Sequence, residues 1–251
     1  MKFLISIQTF NRPKLLANLL KDILMQFKSF DYKVLIYDDF SSEDYGIVKD
    51  FVNKNNEFSY KVFDKNYGKF EYWAATNIRF KDIEKESFDF CIFMPDDIRL
   101  CKNFAKRAVT SWRSIKSKKI ALNLCKDSLR TENGKPKPCW TNFTVYRESK
   151  FAWNVGWVDM LFLCNKDFFK KIKYNIDPIS KKRWSSDSNL SSGVGMQISR
   201  KLYPYGLYLT DRSLVVHVDV ESKMNKLERV MNPIYSENYI DGEKKMKELK
   251  D

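Results

Sequence analysis

The stretch "FDFCIFMPDDIRL", Phe88 to Leu100, decides how this chain is read. From Phe88 to Phe93, one acid stands among five apolar or aromatic side chains, the pattern of a strand buried on both faces. Met94 and Pro95 follow, and then two adjacent aspartates, Asp96 and Asp97. A second pair, Asp38 and Asp39, closes the apolar run "YKVLIYDD". Two buried strands that each finish in paired carboxylates call for a common explanation.

The flanking sequence supplies the frame. "KFLISIQ" reads as a first strand, and "NRPKLLANLLKDILMQF" as a helix with Leu15, Leu16, Leu19, Leu20, Ile23, Leu24 and Phe27 on one stripe. Pro13 suits a first helical position, with Asn11 placed to cap it. Ser41 or Ser42 is the expected cap of a second helix, "SSEDYGIVKDFVNKN". "FSYKVFD" is a third strand, "KFEYWAATNIRFKDI" a helix, "FDFCIFM" a fourth strand, "CKNFAKRAVTSWRSI" a helix and "KIALNLC" a further strand. Strict alternation of this kind predicts an α/β fold with a mostly parallel, Rossmann-like sheet flanked by helices. Ligands of such sheets bind beyond the carboxyl ends of the strands. Both aspartate pairs therefore face one crevice.

The second half is less regular. "TENGKPKP" is a turn, "TNFTVYRES" and "GWVDMLFLC" read as strands, and "NKDFFKKI" as a short helix. "DPISKKRWSSDSNLSSG" lacks periodicity and reads as a loop. "VGMQISRKLYPYG" is a helix, and "LYLTDRSLVVHVDV" holds strand runs reaching the sole histidine, His217. One domain is expected over 1–251, with a ligand-binding half at 1–125, a second half at 126–235 and a charged tail at 236–251.

Composition narrows the classes. Eight glycines among 251 residues argue against a glycine-rich phosphate loop. Five cysteines, none in C-x-x-C spacing, suggest neither a disulfide framework nor a zinc site, and Cys91 and Cys164 read as small core residues. No apolar run reaches the roughly 18 residues of a membrane span, and the N-terminal run is too short for a signal peptide, so a cytoplasmic protein is expected. The net charge of +13 points to anionic partners or to a lysine-rich background composition. No obligate protein partner is evident.

Five segments in this order, "ISIQTFNRPKLLANLL", "VLIYDDFSSED", "NYGKFEYWAATN", "FMPDDI" and "VVHVDVESKMN", resemble the GT-A-fold glycosyltransferases of the family-two type. The resemblance implies a nucleotide-sugar donor, with a UDP-sugar favoured, and Mn²⁺ or Mg²⁺ as cofactor. It places Asp97 and His217 on the metal, and Asp96 on the ribose or sharing the metal. Asp38 or Asp39 would accept from the base N–H. Thr9, Asn11 and Arg12 would line the nucleotide pocket, Asn66, Gly68 and Lys69 would lie under base and diphosphate, and Lys223 would neutralise the leaving diphosphate, with Arg229 beyond it. The chain departs from the family in two places: Pro95 stands where an acid is common, and Gly193-Val194 stand where the family carries its general base. Asp159 and Asp187 are the substitutes, Asp159 preferred for its apolar strand flank; a retaining mechanism would need neither.

Basic residues mixed with aromatics, "SWRSIKSKK" (111–119) and "SKKRW" (180–184), suggest a polyanionic acceptor. DNA with hydroxymethylated bases is the favoured one, as for some phage enzymes, with Trp184 or Trp153 supporting a flipped base. The rival acceptors are a surface glycan or a lipid-linked saccharide, at an anionic membrane face. A non-catalytic nucleic-acid-binding module on this scaffold is the alternative outside the enzymes. A sugar nucleotidyltransferase is disfavoured because "QTFNRPK" has no glycine.

Overall fold

A computed structural model describes residues 1–125, 143–180 and 192–218, together with the backbone of 131–132 and 135–136. In chain order its elements are β1 (Lys2–Thr9), α1 (Pro13–Phe27), β2 (Asp31–Asp38), α2 (Gly46–Asn53), β3 (Phe58–Val62), α3 (Tyr72–Glu84), β4 (Phe90–Pro95), β5 (Ile98–Leu100), α4 (Phe104–Ser114) and β6 (Ala121–Asn123). There follow β7 (Thr131–Glu132), β8 (Lys135–Pro136), β9 (Tyr146–Ser149), β10 (Ala152–Asn154), β11 (Phe162–Cys164), α5 (Lys166–Ile172), α6 (Val194–Leu202), β12 (Leu207–Thr210) and β13 (Val215–His217).

Nine strands form one sheet in the order β3-β2-β1-β4-β11-β6-β12-β10-β9. β1, β2, β3 and β4 are mutually parallel, as the alternation predicts. β11 then enters antiparallel to both β4 and β6, and β12 lies parallel to β6. Side chains alternate between two cores, as the two-residue period of a strand demands. Ile5, Ile7, Val34, Ile36, Ile92 and Met94 pack on the side of α1, α2 and α4. Leu4, Leu35, Tyr37, Cys91 and Phe93 pack on the side of α3, α5 and α6. Cys91 and Cys164 are fully buried and free.

Three sequence expectations change. Neither Ser41 nor Ser42 caps α2, and Asn11 does not cap α1; Tyr45 and Arg12 stand at the cap positions without side-chain cap bonds. Instead, Ser41 Oγ accepts from Asn11 N, Asn11 Oδ1 accepts from Ser42 N, and Ser41 N donates to Asp38 at the end of β2. The strand expected over Gly156–Cys164 shrinks to β11, because the backbone of 157–159 is satisfied by side chains. Asn123 Nδ2 donates to Trp157 O (2.8 Å), Asn123 Oδ1 accepts from Asp159 N (2.9 Å), and Ser199 Oγ accepts from Val158 N (2.9 Å). Asp159 thus lies in a loop. No helix among the described residues is long and apolar enough to cross a membrane.

Candidate active site at the carboxyl edge of the sheet

Parallel pairing brings the ends of three strands together: Thr9 is in register with Asp38, and Gln8 with Pro95. Asp96 and Asp97 follow Pro95 and are only 3% and 1% exposed. Thr9 Oγ1 donates to Asp96 Oδ2 (2.7 Å). Arg12 Nη1 spans the pair, 3.1 Å from Asp96 Oδ1 and 3.2 Å from Asp97 Oδ2. Burial, and next the adjacent charge of Asp97, push the Asp96 carboxyl up to about 6, against the opposing pull of Arg12 and Thr9.

His217 reaches this pair from far along the chain. β13 runs antiparallel to β5 with His217 opposite Ile98, and Val218 N donates to Asp97 O (2.9 Å). His217 Nδ1 comes to rest 3.3 Å from Asp97 Oδ1. The ribbon is tied to α1 by Asp22, which is fully buried and accepts from Arg99 Nε (2.8 Å), Arg99 Nη2 (3.0 Å) and Leu100 N (2.9 Å). A carboxylate oxygen beside an imidazole nitrogen is a donor set that fits Mn²⁺ well. Among the described residues no group of three or more His, Cys, Asp or Glu side chains is placed to hold a metal ion.

The second aspartate pair is held differently. Asp38 Oδ1 accepts from Ser41 N (2.9 Å) and Oδ2 from the Tyr60 hydroxyl. Asp39 Oδ1 accepts from Tyr67 N (2.8 Å), Oδ2 from Gly68 N (2.9 Å), and its carbonyl from Asn66 Nδ2 (2.8 Å). Gly68 has φ +50, which glycine adopts without strain, and Lys69 continues the same loop. Burial raises the Asp39 carboxyl, while the Tyr67 and Gly68 amides oppose the shift. Asn11, at φ +52, accepts at Oδ1 from Ser42 N (2.9 Å) and Glu43 N (3.3 Å), fixing the loop after β2.

Tyr45 joins the two halves of the edge and was not singled out from the sequence. Its hydroxyl lies 2.8 Å from Thr9 Oγ1 and accepts from Arg12 N (3.0 Å) and Ser41 Oγ (3.3 Å). Because Thr9 gives its proton to Asp96, Tyr45 is the donor to Thr9. Tyr72 is a second addition. Burial raises its phenol, against the opposing charge and hydrogen bond of Arg79. Asp159 is solvent-exposed, and its Oδ1 accepts from Met160 N (2.8 Å). Its loop presses on α6, where a Cβ at Gly195 would stand 2.9 Å from Val158 O.

The structure therefore gathers Thr9, Asn11, Arg12, Asp38, Asp39, Asn66, Gly68, Lys69, Asp96, Asp97 and His217 along one edge. Asp187, Lys223, Arg229 and Trp184 lie outside the described residues. Two expected stacking aromatics are otherwise engaged. Trp112 is buried edge-on against Phe90 (5.7 Å between centroids). Trp153 donates to Asp211 Oδ1 (2.8 Å) and carries Arg147 5.5 Å from its ring centroid.

A mostly parallel sheet, helices on both faces and acids at the carboxyl edge define a GT-A fold. Residues 5–75 match the model of glycosyl transferase family 2. Among solved structures, the chain is similar to Staphylococcus aureus TarS 1–349 in complex with UDP-GlcNAc, at 15% identity and a TM-score of 0.57, over 90% of this chain and 60% of that one. The same protein in complex with UDP gives 16% identity and a TM-score of 0.54, over 86% of this chain and 60% of that one. Against the longer S. aureus TarS structure the values are 17% and 0.55, over 88% of this chain and 37% of that one. This chain thus spans about 60% of the TarS 1–349 structures it matches. No curated protein matches it in sequence.

Proposed function

We propose that this protein is a metal-dependent glycosyltransferase that moves a sugar from a UDP-sugar to a hydroxyl acceptor. The observation that carries the reading is the meeting of Asp96, Asp97 and His217 with Asp38 and Asp39 on one sheet edge, inside a fold whose first strands match a glycosyltransferase family. The UDP and UDP-GlcNAc named for the TarS structures favour uridine as the donor nucleoside. Asp97 and His217 would hold Mn²⁺ or Mg²⁺, which supplies positive charge to the donor's diphosphate.

The chain's own residues do the rest. Asp39 presents a carboxylate locked by two backbone amides, placed to accept the N–H of uracil, with Asp38 beside it and the 66–69 loop beneath. Asp96, held by Thr9 and Arg12, faces the ribose. Arg12, which neutralises both acids here, can follow charge to the diphosphate. Asp159 is the general base that takes the proton of the attacking hydroxyl: it is solvent-exposed, and its loop is fixed by Asn123 and Ser199. Asp187 is the second candidate, and Lys223 the candidate partner of the leaving diphosphate.

The acceptor is polyanionic in this reading, with hydroxymethylated bases of DNA favoured. Support comes from a run of 29 residues, 98–126, that contains no acid. Within it Lys102 before α4, Lys106 and Arg113 on it, and Lys116 and Lys118 in the loop beyond are exposed. Lysine and arginine so arranged neutralise phosphates.

A thermal-shift screen with Mn²⁺ across UDP-, GDP- and CMP-sugars tests the donor. A ligand at a hundredfold excess over Kd stabilises the native state by about 2.7 kcal/mol. UDP-sugars are expected to act alone, and a flat response to all three classes refutes the reading. Transfer from the active donor onto plain DNA, hydroxymethylated DNA and glycan acceptors then identifies the acceptor.

A further inference from the structure

Each acid of the Asp96–Asp97 pair turns one oxygen to a different neighbour. Asp96 Oδ2 accepts from Thr9 Oγ1 (2.7 Å), and Asp97 Oδ1 lies 3.3 Å from His217 Nδ1. The other oxygen of each acid converges on a single atom, Arg12 Nη1, at 3.1 Å from Asp96 Oδ1 and 3.2 Å from Asp97 Oδ2. A guanidinium often grips one carboxylate with two nitrogens side by side. Here one nitrogen stands between two carboxylates, as a point charge would. The Arg12 side chain is 11% exposed and the acids 4% and 1%, so water screens these contacts poorly. The chain thus carries a cation of its own between the acids that the donor reading assigns to a foreign one.

We infer that Arg12 is a resident counter-ion that competes with the divalent cation for this acid pair and gives way to a nucleoside diphosphate, so that metal and nucleotide bind co-operatively. This rests on the donor reading given above. With Arg12 between them, two carboxylates present a single net negative charge to any further cation, and the guanidinium repels it at close range. A diphosphate alters that balance, because phosphate oxygens match the arginine fork as well as a carboxylate does. Once the side chain turns to them, Asp96 Oδ1 and Asp97 Oδ2 are released beside Asp97 Oδ1 and His217 Nδ1. The backbone can stay where it is: Arg12 O accepts from Leu16 N (3.0 Å) at the start of α1, and Arg12 N donates to the Tyr45 hydroxyl (3.0 Å). A ligand that draws off a second ligand's competitor raises the affinity of that second ligand, and by linkage the gain is mutual. A role confined to neutralising two buried acids predicts otherwise, since loss of the charge would then loosen the pair and weaken every ligand held there.

The test is calorimetric titration of the full chain with Mn²⁺ alone, and with UDP in excess Mn²⁺ and in chelator. Arg12→Met is expected to bind Mn²⁺ alone at least about tenfold more tightly than wild type, because a positive charge beside the ion is gone. The same variant should bind UDP in Mn²⁺ about tenfold more weakly, because the diphosphate loses its guanidinium. Changes of opposite sign mark a counter-ion that moves from one partner to the other. Mn²⁺ affinity that is unchanged or weaker in Arg12→Met overturns the inference, and so does UDP affinity at wild-type strength. Should Arg12→Met fail to fold, Arg12→Gln, which keeps donors for the acids but no charge, carries the same comparison. Wild-type protein that takes up no UDP, or takes it up equally in Mn²⁺ and in chelator, overturns the metal-dependent donor reading and this inference with it. Wild-type protein that binds UDP more tightly in Mn²⁺, with variants that match it in both titrations, overturns the inference alone.

Discussion

Replacing Asp22 by alanine should be among the most damaging single changes outside the crevice. The Asp22 carboxylate is fully buried in α1 and accepts three bonds, two from Arg99 and one from Leu100 N, at 2.8 to 3.0 Å. The Arg99 side chain is 18% exposed, so removing the acid takes this counter-charge from a cation that water cannot fully reach. Breaking a buried pair from one side costs about 3–5 kcal/mol. Against a total stability of about 5–15 kcal/mol, that is a large fraction. For a chain of this size each kcal/mol moves Tm by about 2–4 °C, so Asp22→Ala should lower Tm by about 6–20 °C. Replacing both partners, with Asp22→Leu and Arg99→Met together, should recover most of the loss, because an apolar pair of similar volume leaves no buried charge. Urea unfolding followed by circular dichroism measures both variants. A loss below about 1 kcal/mol in Asp22→Ala, or a double variant no better than the single one, would refute the assignment of this pair as the tie between α1 and the β5–β13 ribbon.

Asp97→Asn should abolish the Mn²⁺-induced thermal shift and lower UDP-sugar turnover by at least about a hundredfold, since it removes a carboxylate that faces both His217 and Arg12. Retained turnover in this variant, or turnover unaffected by chelator, counts against a metal at this pair. Gly206→Ala should cost at least about 2 kcal/mol by urea unfolding: φ is +87, and the added Cβ would stand 2.0 Å from Lys118 O. A near-neutral effect there would contradict the close approach of the two segments. Burial is the first cause of raised phenols at Tyr37, Tyr45, Tyr60, Tyr72 and Tyr208, the last pushed up to about 12. Above pH about 10 the unfolded chain therefore releases phenolic protons before the folded one, and stability falls as pH rises. Absorbance at 295 nm should show these tyrosines ionising together with unfolding; ionisation near pH 10 with the fold intact would contradict their burial.

Much of the first half of the chain was legible because its longer elements carry complete signals. β1, β2 and β4 are apolar on both faces, and α1 shows a stripe with Pro13 at its start. The carboxylates at the ends of β2 and β4 then follow from parallel pairing alone. β5, β10 and β11 have three residues each, too few for any period to register, and only long-range partners make them strands. The caps failed because Asn11, Ser41 and Ser42 spend their hydrogen bonds on one another across two loops, which sequence distance conceals. Arg79 was within reach: Ala75, Arg79 and Ile83 recur at the inward spacing of α3, and a cation on that stripe is an anomaly that periodicity alone exposes.

β11 has a consequence of its own. Strands β3, β2, β1 and β4 come from one unbroken portion of chain, and among the described residues the strands beyond join them through Phe162–Cys164. A three-residue seam, reversed in direction, separates the wall that carries the aspartate pairs from the wall that carries Asp159. On the donor and acceptor reading proposed above, insertion or exchange in the far wall would change what is accepted while the near wall keeps its register.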